Sequence, residues 1–78
     1  MTRRVKGPAT TELKNDILAL RKAAGLTQAQ LATNVGVTRK TINTVERGHY
    51  VPSTVLALRL AVALDTAVEN IFSLPATE

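Results

Sequence analysis

Apolar residues recur every three or four positions along most of this chain, which is the spacing of amphipathic helices. The first predicted helix begins at Thr10 or Thr11 and ends at Gly25. Its expected inner face consists of Leu13, Ile17, Leu20 and Ala24. The ten residues before it show no periodicity, so we interpret residues 1–10 as a flexible basic arm.

Capping signals divide the next stretch into two short helices. Thr27 followed three residues later by Gln30 forms a capping box, which predicts the start of helix two. Gly36 predicts its end, because glycine adopts the left-handed conformation after a helix at little cost. Thr38 is a second N-cap candidate, and Gly48 closes helix three. The pattern is therefore helix, glycine turn, helix.

The remaining chain predicts two more helices. Ser53 is expected to cap helix four, which runs to about Leu64. A second capping box, Thr66 to Glu69, is expected to open a short helix five that ends near Phe72. We predict an all-α domain of five helices over residues 11–74, followed by a tail at 75–78.

The segment from Leu26 to Gly48, LTQAQLATNVGVTRKTINTVERG, resembles the helix-turn-helix of the Cro and phage-repressor (Xre) family of transcriptional regulators. Further matches are Pro52-Ser53 and the closing segment VENIF at 68–72, so the likeness spans about residues 13–74. The resemblance implies a five-helix, lambda-repressor-like domain that binds DNA through helices two and three. Within the family, the sequence most resembles the minimal members, which have no effector domain.

The helix-turn-helix assigns roles to the polar residues of this segment. Residues in the first turns of a recognition helix reach base edges in the major groove, and arginine and lysine suit guanine while asparagine suits adenine. The predicted base-contacting residues are Arg39, Lys40, Asn43 and Thr44; the alternative for each is phosphate contact or solvent. The predicted phosphate-contacting residues are Gln28, as the resemblance implies, with Thr38, Arg47 and Tyr50. Tyr50 packing over the core edge is equally open, and Glu46 is expected to pair with a basic residue within the fold.

Helix four carries more apolar residues than one core needs. Its inner stripe is expected to be Leu56, Ala57, Leu60, Ala61 and Leu64, yet a second stripe lies at Val55, Leu58 and Val62. Contiguous exposed apolar patches usually mark contacts with a partner. We predict a homodimer interface formed by Val55, Leu58, Val62, Phe72 and Leu74. The alternative is packing within one chain, against helix five or the N-terminal arm.

Charge is distributed unevenly between the two halves. Residues 1–47 hold nine Lys or Arg against three acidic residues, whereas residues 48–78 hold one Arg against three acidic residues. A basic surface beside a helix-turn-helix is the electrostatic footprint of DNA binding. Arg3, Arg4 and Lys6 of the arm either follow the minor groove or form a solvating tail.

The sequence lacks the residues that other classes of function would need. The chain has no cysteine and one histidine, His49, which has no carboxylate at ligand spacing, so we expect no metal site and no cofactor. The sequence contains no nucleophile–base pair of the kind that enzymes use, so we do not expect an enzyme. It contains no apolar run long enough to span a membrane. No pocket for a small molecule is evident. A cytoplasmic location is expected, because the N-terminus lacks the apolar core of a signal peptide.

The sequence predicts a sequence-specific regulator that binds double-stranded DNA, in the form of a dimeric repressor at a pseudo-palindromic operator. Two alternatives stay open. The first is an antitoxin that represses its own operon and sequesters a toxin. The second is a protein–protein interaction module, which the polar face of helix three disfavours.

Overall fold

The computed structural model describes residues 12–75, which form five α helices and two very short strands. In chain order these are β1 (Lys14–Asn15), α1 (Ile17–Ala23), α2 (Gln28–Val35), α3 (Arg39–Glu46), α4 (Thr54–Ala63), α5 (Val68–Ile71) and β2 (Phe72–Ser73). The predicted all-α fold is confirmed, apart from the small sheet. The predicted arm at 1–10, the helix start at Thr10 or Thr11 and tail residues 76–78 lie outside the described residues.

The first predicted helix is wrong at its start. Helix α1 begins at Ile17, after β1 has paired in antiparallel register with β2, Lys14 opposite Ser73 and Asn15 opposite Phe72. The Asn15 side chain explains the boundary, because its oxygen accepts a hydrogen bond from the Ile17 amide at 3.1 Å. Asparagine makes such local bonds in turns that precede helices. Leu13, expected on the helix, lies before it.

Helices α2, α3 and α4 begin as the sequence predicts. The Thr27 hydroxyl accepts from the Gln30 amide at 3.0 Å and the Gln30 side chain accepts from the Thr27 amide at 2.9 Å, which completes the capping box. The Thr38 hydroxyl accepts from the Thr41 amide, and Ser53 caps α4 through the Leu56 amide. These bonds satisfy amides that have no partner within their own helix.

The predicted capping box of helix five is wrong. The N-cap of α5 is Ala67, which has no side chain that can accept a hydrogen bond from the helix. Thr66 lies one residue earlier, and its hydroxyl instead accepts from the Asn70 amide group at 3.0 Å. The helix is therefore held by this side-chain bond and by packing, since Ile71 is buried.

One apolar core joins all five helices. Its buried members are Ile17, Leu31, Ala32, Val35, Ile42, Val45, Leu56, Leu60, Leu64 and Ile71. The predicted inner stripe of α4 is confirmed for its three leucines, whereas Ala24, expected on the inner face of α1, is exposed. The core holds α2 and α3 against each other and leaves the N-terminal end of α3 at the surface.

Candidate nucleic-acid interface

Helix α3 has an apolar inner face and a polar outer face. Ile42 and Val45 are buried at 0 and 1 % exposure, and they anchor the helix in the core. Arg39 and Lys40 in its first turn are exposed, and so is Arg47 directly after its end. The core therefore fixes the rotation of the helix about its axis, which presents the cationic residues to solvent.

The turn before α3 has the geometry that the sequence predicts. Gly36 has a φ of +79°, and the amides of Gly36 and Val37 donate to the carbonyls of Thr33 and Ala32. This is the Schellman pattern of a helix C-terminus, for which glycine is suited because it carries no Cβ. Val37 packs on the core from the turn. The two helices of the motif therefore keep a fixed relative orientation.

A chain of polar side chains crosses from α1 to the exposed start of α3. Arg21, 8 % exposed, pairs with Glu46 through Nε at 2.7 Å and Nη2 at 3.3 Å, and it also donates to the Leu26 carbonyl. Gln28 donates from its amide nitrogen to Glu46 Oε1 at 3.0 Å. Arg39 donates from Nη1 to Gln28 Oε1 at 3.3 Å. The expected pairing of Glu46 with a basic residue is confirmed.

The other predicted DNA-contacting residues occupy two environments. Asn43 and Thr44 are half-buried on the side of α3, and the Thr44 hydroxyl donates to the Lys40 carbonyl at 2.8 Å. That bond leaves the Thr44 methyl group as the part of the side chain available for contact. Tyr50 follows α3 in the loop and is 49 % exposed. Its exposed half leaves the prediction of a phosphate contact open.

The second apolar stripe of α4 lies at the surface. Val55, Leu58 and Val62 are 59, 54 and 82 % exposed, so α5 does not cover them. They line a shallow groove of about 530 Å³ together with the C-terminal end of α2, including Thr33 and Gly36. Leu74 is also exposed, at 73 %, whereas Phe72 is half-buried and packs against the core.

Two arginines have contacts that the sequence did not predict: Arg21, which is buried, and Arg59, which is exposed on α4. Arg21 lies one turn after Ile17, on the face of α1 that enters the core. This spacing, together with the basic partner expected for Glu46, could have identified Arg21 as that partner. Arg59 projects from α4 beside Gly36, where Nη1 lies 3.4 Å from the position that a Cβ would take. No pattern in the sequence marks that approach, because it depends on how α2 and α4 pack.

Other kinds of site find little support within residues 12–75. Over that range, no three His, Asp or Glu side chains cluster in a way that suits a metal ion. None of the helices described is both long and apolar enough to cross a bilayer.

Comparison with known proteins gives one consistent answer. A helix-turn-helix family model matches residues 17–70. The HTH-type transcriptional regulator YgzD of Bacillus subtilis is 42 % identical over 60 residues, which cover 77 % of this chain and 91 % of the relative. An HTH-type transcriptional regulator of Methanothermobacter thermautotrophicus is 54 % identical over 55 residues, covering 69 % of this chain and 80 % of the relative.

Two solved structures are similar to this chain as well. The restriction-modification controller protein C.AhdI of Aeromonas hydrophila superposes with a TM-score of 0.66 at 41 % identity, over 69 % of this chain and 82 % of that one. A putative DNA-binding protein of Bacteroides fragilis shares the fold, with a TM-score of 0.72 at 20 % identity over 78 and 98 % of the two chains. The chain belongs to the Xre family of helix-turn-helix transcriptional regulators, and it is a DNA-binding protein of that family.

Proposed function

We propose that this protein is a sequence-specific repressor that binds a pseudo-palindromic operator as a homodimer. The observation that carries the proposal is the pairing of two unlike surfaces on one small core. The outer face of α3 exposes cations beside a helix-turn-helix, and the outer face of α4 exposes an apolar stripe. The first surface suits DNA and the second suits another copy of the chain.

On the DNA side, the N-terminal end of α3 enters the major groove. Arg39, Lys40, Asn43 and Thr44 contact base edges in this proposal, because they lie in the first turns of the recognition helix. Gln28, Thr38, Arg47 and Tyr50 contact phosphates. The backbone amides at the start of α2 favour an anion there.

On the protein side, the stripe of Val55, Leu58 and Val62 meets its counterpart across a two-fold axis, with Leu74 and the exposed part of Phe72 beside it. For both recognition helices to enter successive major grooves, the dimer must hold them about 34 Å apart, the repeat of one turn of DNA. Each chain alone would expose three aliphatic side chains in one row, whereas the dimer removes them from water.

Repression follows if the operator overlaps a promoter, since a bound dimer then blocks polymerase. No effector site is needed for this activity, and no inducer enters the proposal. The antitoxin alternative requires a toxin that this protein binds and sequesters. A toxin gene next to the gene for this protein would favour that alternative.

The likeness to C.AhdI favours a second candidate, control of a restriction-modification system. That controller is 41 % identical to this chain. Selected binding sites mapped onto the source genome would test it, because the candidate requires sites upstream of endonuclease and methyltransferase genes.

The proposed function is tested by selecting bound sites from random duplex DNA and then titrating the selected site and a scrambled duplex across ionic strengths. We expect a palindromic consensus, tighter binding of the selected site, and an affinity that falls steeply with salt, as phosphate contacts require. Equal affinity for both duplexes at every salt concentration would reject a sequence-specific regulator. A consensus without two-fold symmetry would reject the dimer on DNA.

A further inference from the structure

We propose that Asn15 is a positioning residue that fixes the recognition helix α3 relative to the C-terminal segment (residues 71–75), and so sets the half-site spacing that the dimer accepts on DNA. Asn15 is half-buried in β1 and bonds to both parts of the molecule. This inference rests on the proposed function, in which two copies pair and each inserts α3 into a major groove. It assigns part of the operator geometry to a residue outside both proposed contact surfaces.

The side chain of Asn15 joins the end of α3 to the start of α1. Its Nδ2 donates to the Val45 carbonyl at 2.9 Å and to the Glu46 carbonyl at 3.5 Å. Its Oδ1 accepts from the Ile17 amide at 3.1 Å. Carbonyls at the end of a helix lack the amides of a following turn, so a side-chain donor there meets a real need. Both ends of the Asn15 amide are used, which fixes the orientation of the side chain.

The main chain around Asn15 pairs with the C-terminal segment. Asn15 lies opposite Phe72 in the small antiparallel sheet, and the amide of the next residue, Asp16, donates to the Ile71 carbonyl at 2.9 Å. Phe72 and the nearby Leu74 belong to the proposed dimer contacts. Asn15 therefore bonds to the end of the recognition helix through its side chain and lies in the strand that pairs with the proposed dimer contacts.

Helix α3 is held mainly by elements other than the C-terminal segment. It packs chiefly on α2, which also packs on α4. The Arg21–Glu46 pair joins the end of α3 to α1. Apolar packing permits small tilts, whereas hydrogen bonds are directional and fix orientation. Asn15 therefore supplies a directional link that opposes a tilt of α3 relative to the C-terminal segment.

A small tilt of α3 would change the distance between the two recognition helices of a dimer. The helix has 8 residues and is therefore about 12 Å long. A tilt of about 10° at its C-terminal end moves the N-terminal end of a helix of that length by about 2 Å. Both copies move in a symmetric dimer, so the spacing changes by about 4 Å, which is on the scale of the ~3.4 Å step of one base pair. Holding the end of α3 thus decides which half-site spacing fits.

The experiment compares wild-type protein with Asn15→Asp and Asn15→Ala. Aspartate is the discriminating change, because its ionised carboxylate still accepts from the Ile17 amide but cannot donate to the carbonyls at the end of α3. Alanine removes both kinds of bond without adding a charge. Asn70→Asp is the control, since it adds the same charge to an exposed asparagine of α5, and the Thr66 hydroxyl can donate to the new carboxylate. Circular dichroism checks that each variant is folded, and sedimentation measures its dimer.

Binding is measured on the selected operator, on operators with one base pair added or removed between the half-sites, and on a duplex with a single half-site. Wild-type protein should bind the altered spacings less tightly than the original. Asn15→Asp should reduce that spacing penalty by at least about threefold, within the range of one lost hydrogen bond, while its affinity for the single half-site stays close to that of Asn70→Asp. Asn15→Ala should reduce the penalty as well, and Asn70→Asp should keep the wild-type penalty.

The spacing penalty separates positioning from stability. A residue needed only for stability would weaken binding to every duplex by the same factor and leave the penalty unchanged. An unchanged penalty in both Asn15 variants would therefore overturn the positioning role while the proposed function stands. Unfolding of both variants would overturn it too, because Asn15 would then be a requirement of the fold itself. A wild-type protein without any spacing preference would instead contradict the dimer on DNA, and the positioning role with it.

Discussion

Helices α3 and α4 are built alike on their inner sides and differently on their outer sides. Each inserts aliphatic side chains into the same core, Ile42 and Val45 from α3, Leu56 and Leu60 from α4. Outside, α3 begins with two exposed cations, whereas α4 exposes a row of aliphatic residues. The inner faces therefore determine where each helix sits, and the outer faces determine what it can bind.

The two helices also differ in how their inner sides are secured. Helix α4 relies on apolar packing and its serine cap, whereas α3 ends in the carboxylate of Glu46, which is bonded to Arg21 of α1. The Asn15 amide adds a bond to the Val45 carbonyl at 2.9 Å. A recognition helix must hold its orientation against the pull of DNA, and directional polar bonds fix orientation better than aliphatic contacts do.

The largest expected effect comes from breaking the polar anchor of α3. Glu46→Ala leaves Arg21 buried without its counter-charge, which should lower the free energy of unfolding by about 3–5 kcal/mol. Denaturant unfolding measures this loss. The control is Glu69→Ala, which removes an exposed carboxylate from α5 and should change stability by less than about 0.5 kcal/mol. Equal losses in the two variants would show that the Arg21–Glu46 pair does not secure α3.

The outer stripe of α4 is tested by Val62→Glu. Val62 is 82 % exposed in one chain, so the charge should leave the fold intact. In the proposed dimer the carboxylate would lie in an apolar seam without a partner, which is costly. We expect the dimer dissociation constant to rise at least about tenfold, a change of 1.4 kcal/mol or more. Sedimentation measures the dimer, and circular dichroism confirms the helices.

Ala19→Glu is the control for this change, because it adds the same charge to an exposed helical position on α1, away from the stripe on α4. It should leave the dimer as stable as wild type. A wild-type protein that is monomeric at micromolar concentration would contradict the dimer, as would a Val62→Glu variant that still dimerises. Unfolding of Val62→Glu would instead indicate that the stripe is buried within one chain.

A pair of arginine substitutions compares the two outer faces directly. Arg39→Ala on α3 should cost about 1–3 kcal/mol of operator binding and relax the preference at one base pair. Arg59→Ala removes the same type of side chain from the α4 face and should leave both quantities unchanged at protein concentrations above the dimer dissociation constant. Fluorescence anisotropy with the operator and its single-base variants measures the difference. Equal losses would mean that DNA does not approach through α3.

Three local features of the helix-turn-helix are predicted correctly from the sequence, whereas the local capping box expected at Thr66 to Glu69 is not, because Ala67 occupies the N-cap position of α5. The capping box of Thr27, the turn at Gly36 and the cap at Thr38 each depend on residues within five positions of one another, and all three are confirmed. The small sheet could not be predicted, because it pairs β1 with a strand almost sixty residues away. The start of α1 at Ile17 follows this pairing together with the local bond from the Ile17 amide to the Asn15 side chain.

In the candidate site as well, the sequence predicts the features that depend on local spacing but not those that depend on helix packing. The exposure of Arg39 and Lys40 follows from helical periodicity in α3, so the sequence places them on the outer face. The bond from Arg39 to Gln28 depends on the packing of α2 against α3, which no local pattern encodes. Which residues contact bases and which contact phosphates stays a prediction, and so does the pairing of two copies through Val62 and its neighbours.

The smallest expected effect concerns how the two helices end. After α3 the amides of Gly48 and His49 donate to carbonyls of the last turn, and after α4 those of Asp65 and Thr66 do the same. The residue in the left-handed conformation is Gly48 in the first case, with φ of +78°, and Asp65 in the second, with φ of +53°. The two ends therefore share one bonding pattern with different residues at its strained position.

Exchanging the residue types at these two positions should shift stability in opposite directions. Gly48→Ala meets no atom within 4 Å, so its expected cost of about 1 kcal/mol comes from backbone strain alone. Asp65→Gly relieves such strain, but glycine also gains freedom in the unfolded chain, so the net stabilisation should stay below about 1 kcal/mol. Thermal unfolding at one protein concentration measures both changes. If Asp65→Gly were destabilising, the aspartate side chain would have to stabilise the end of α4 by more than its backbone conformation costs.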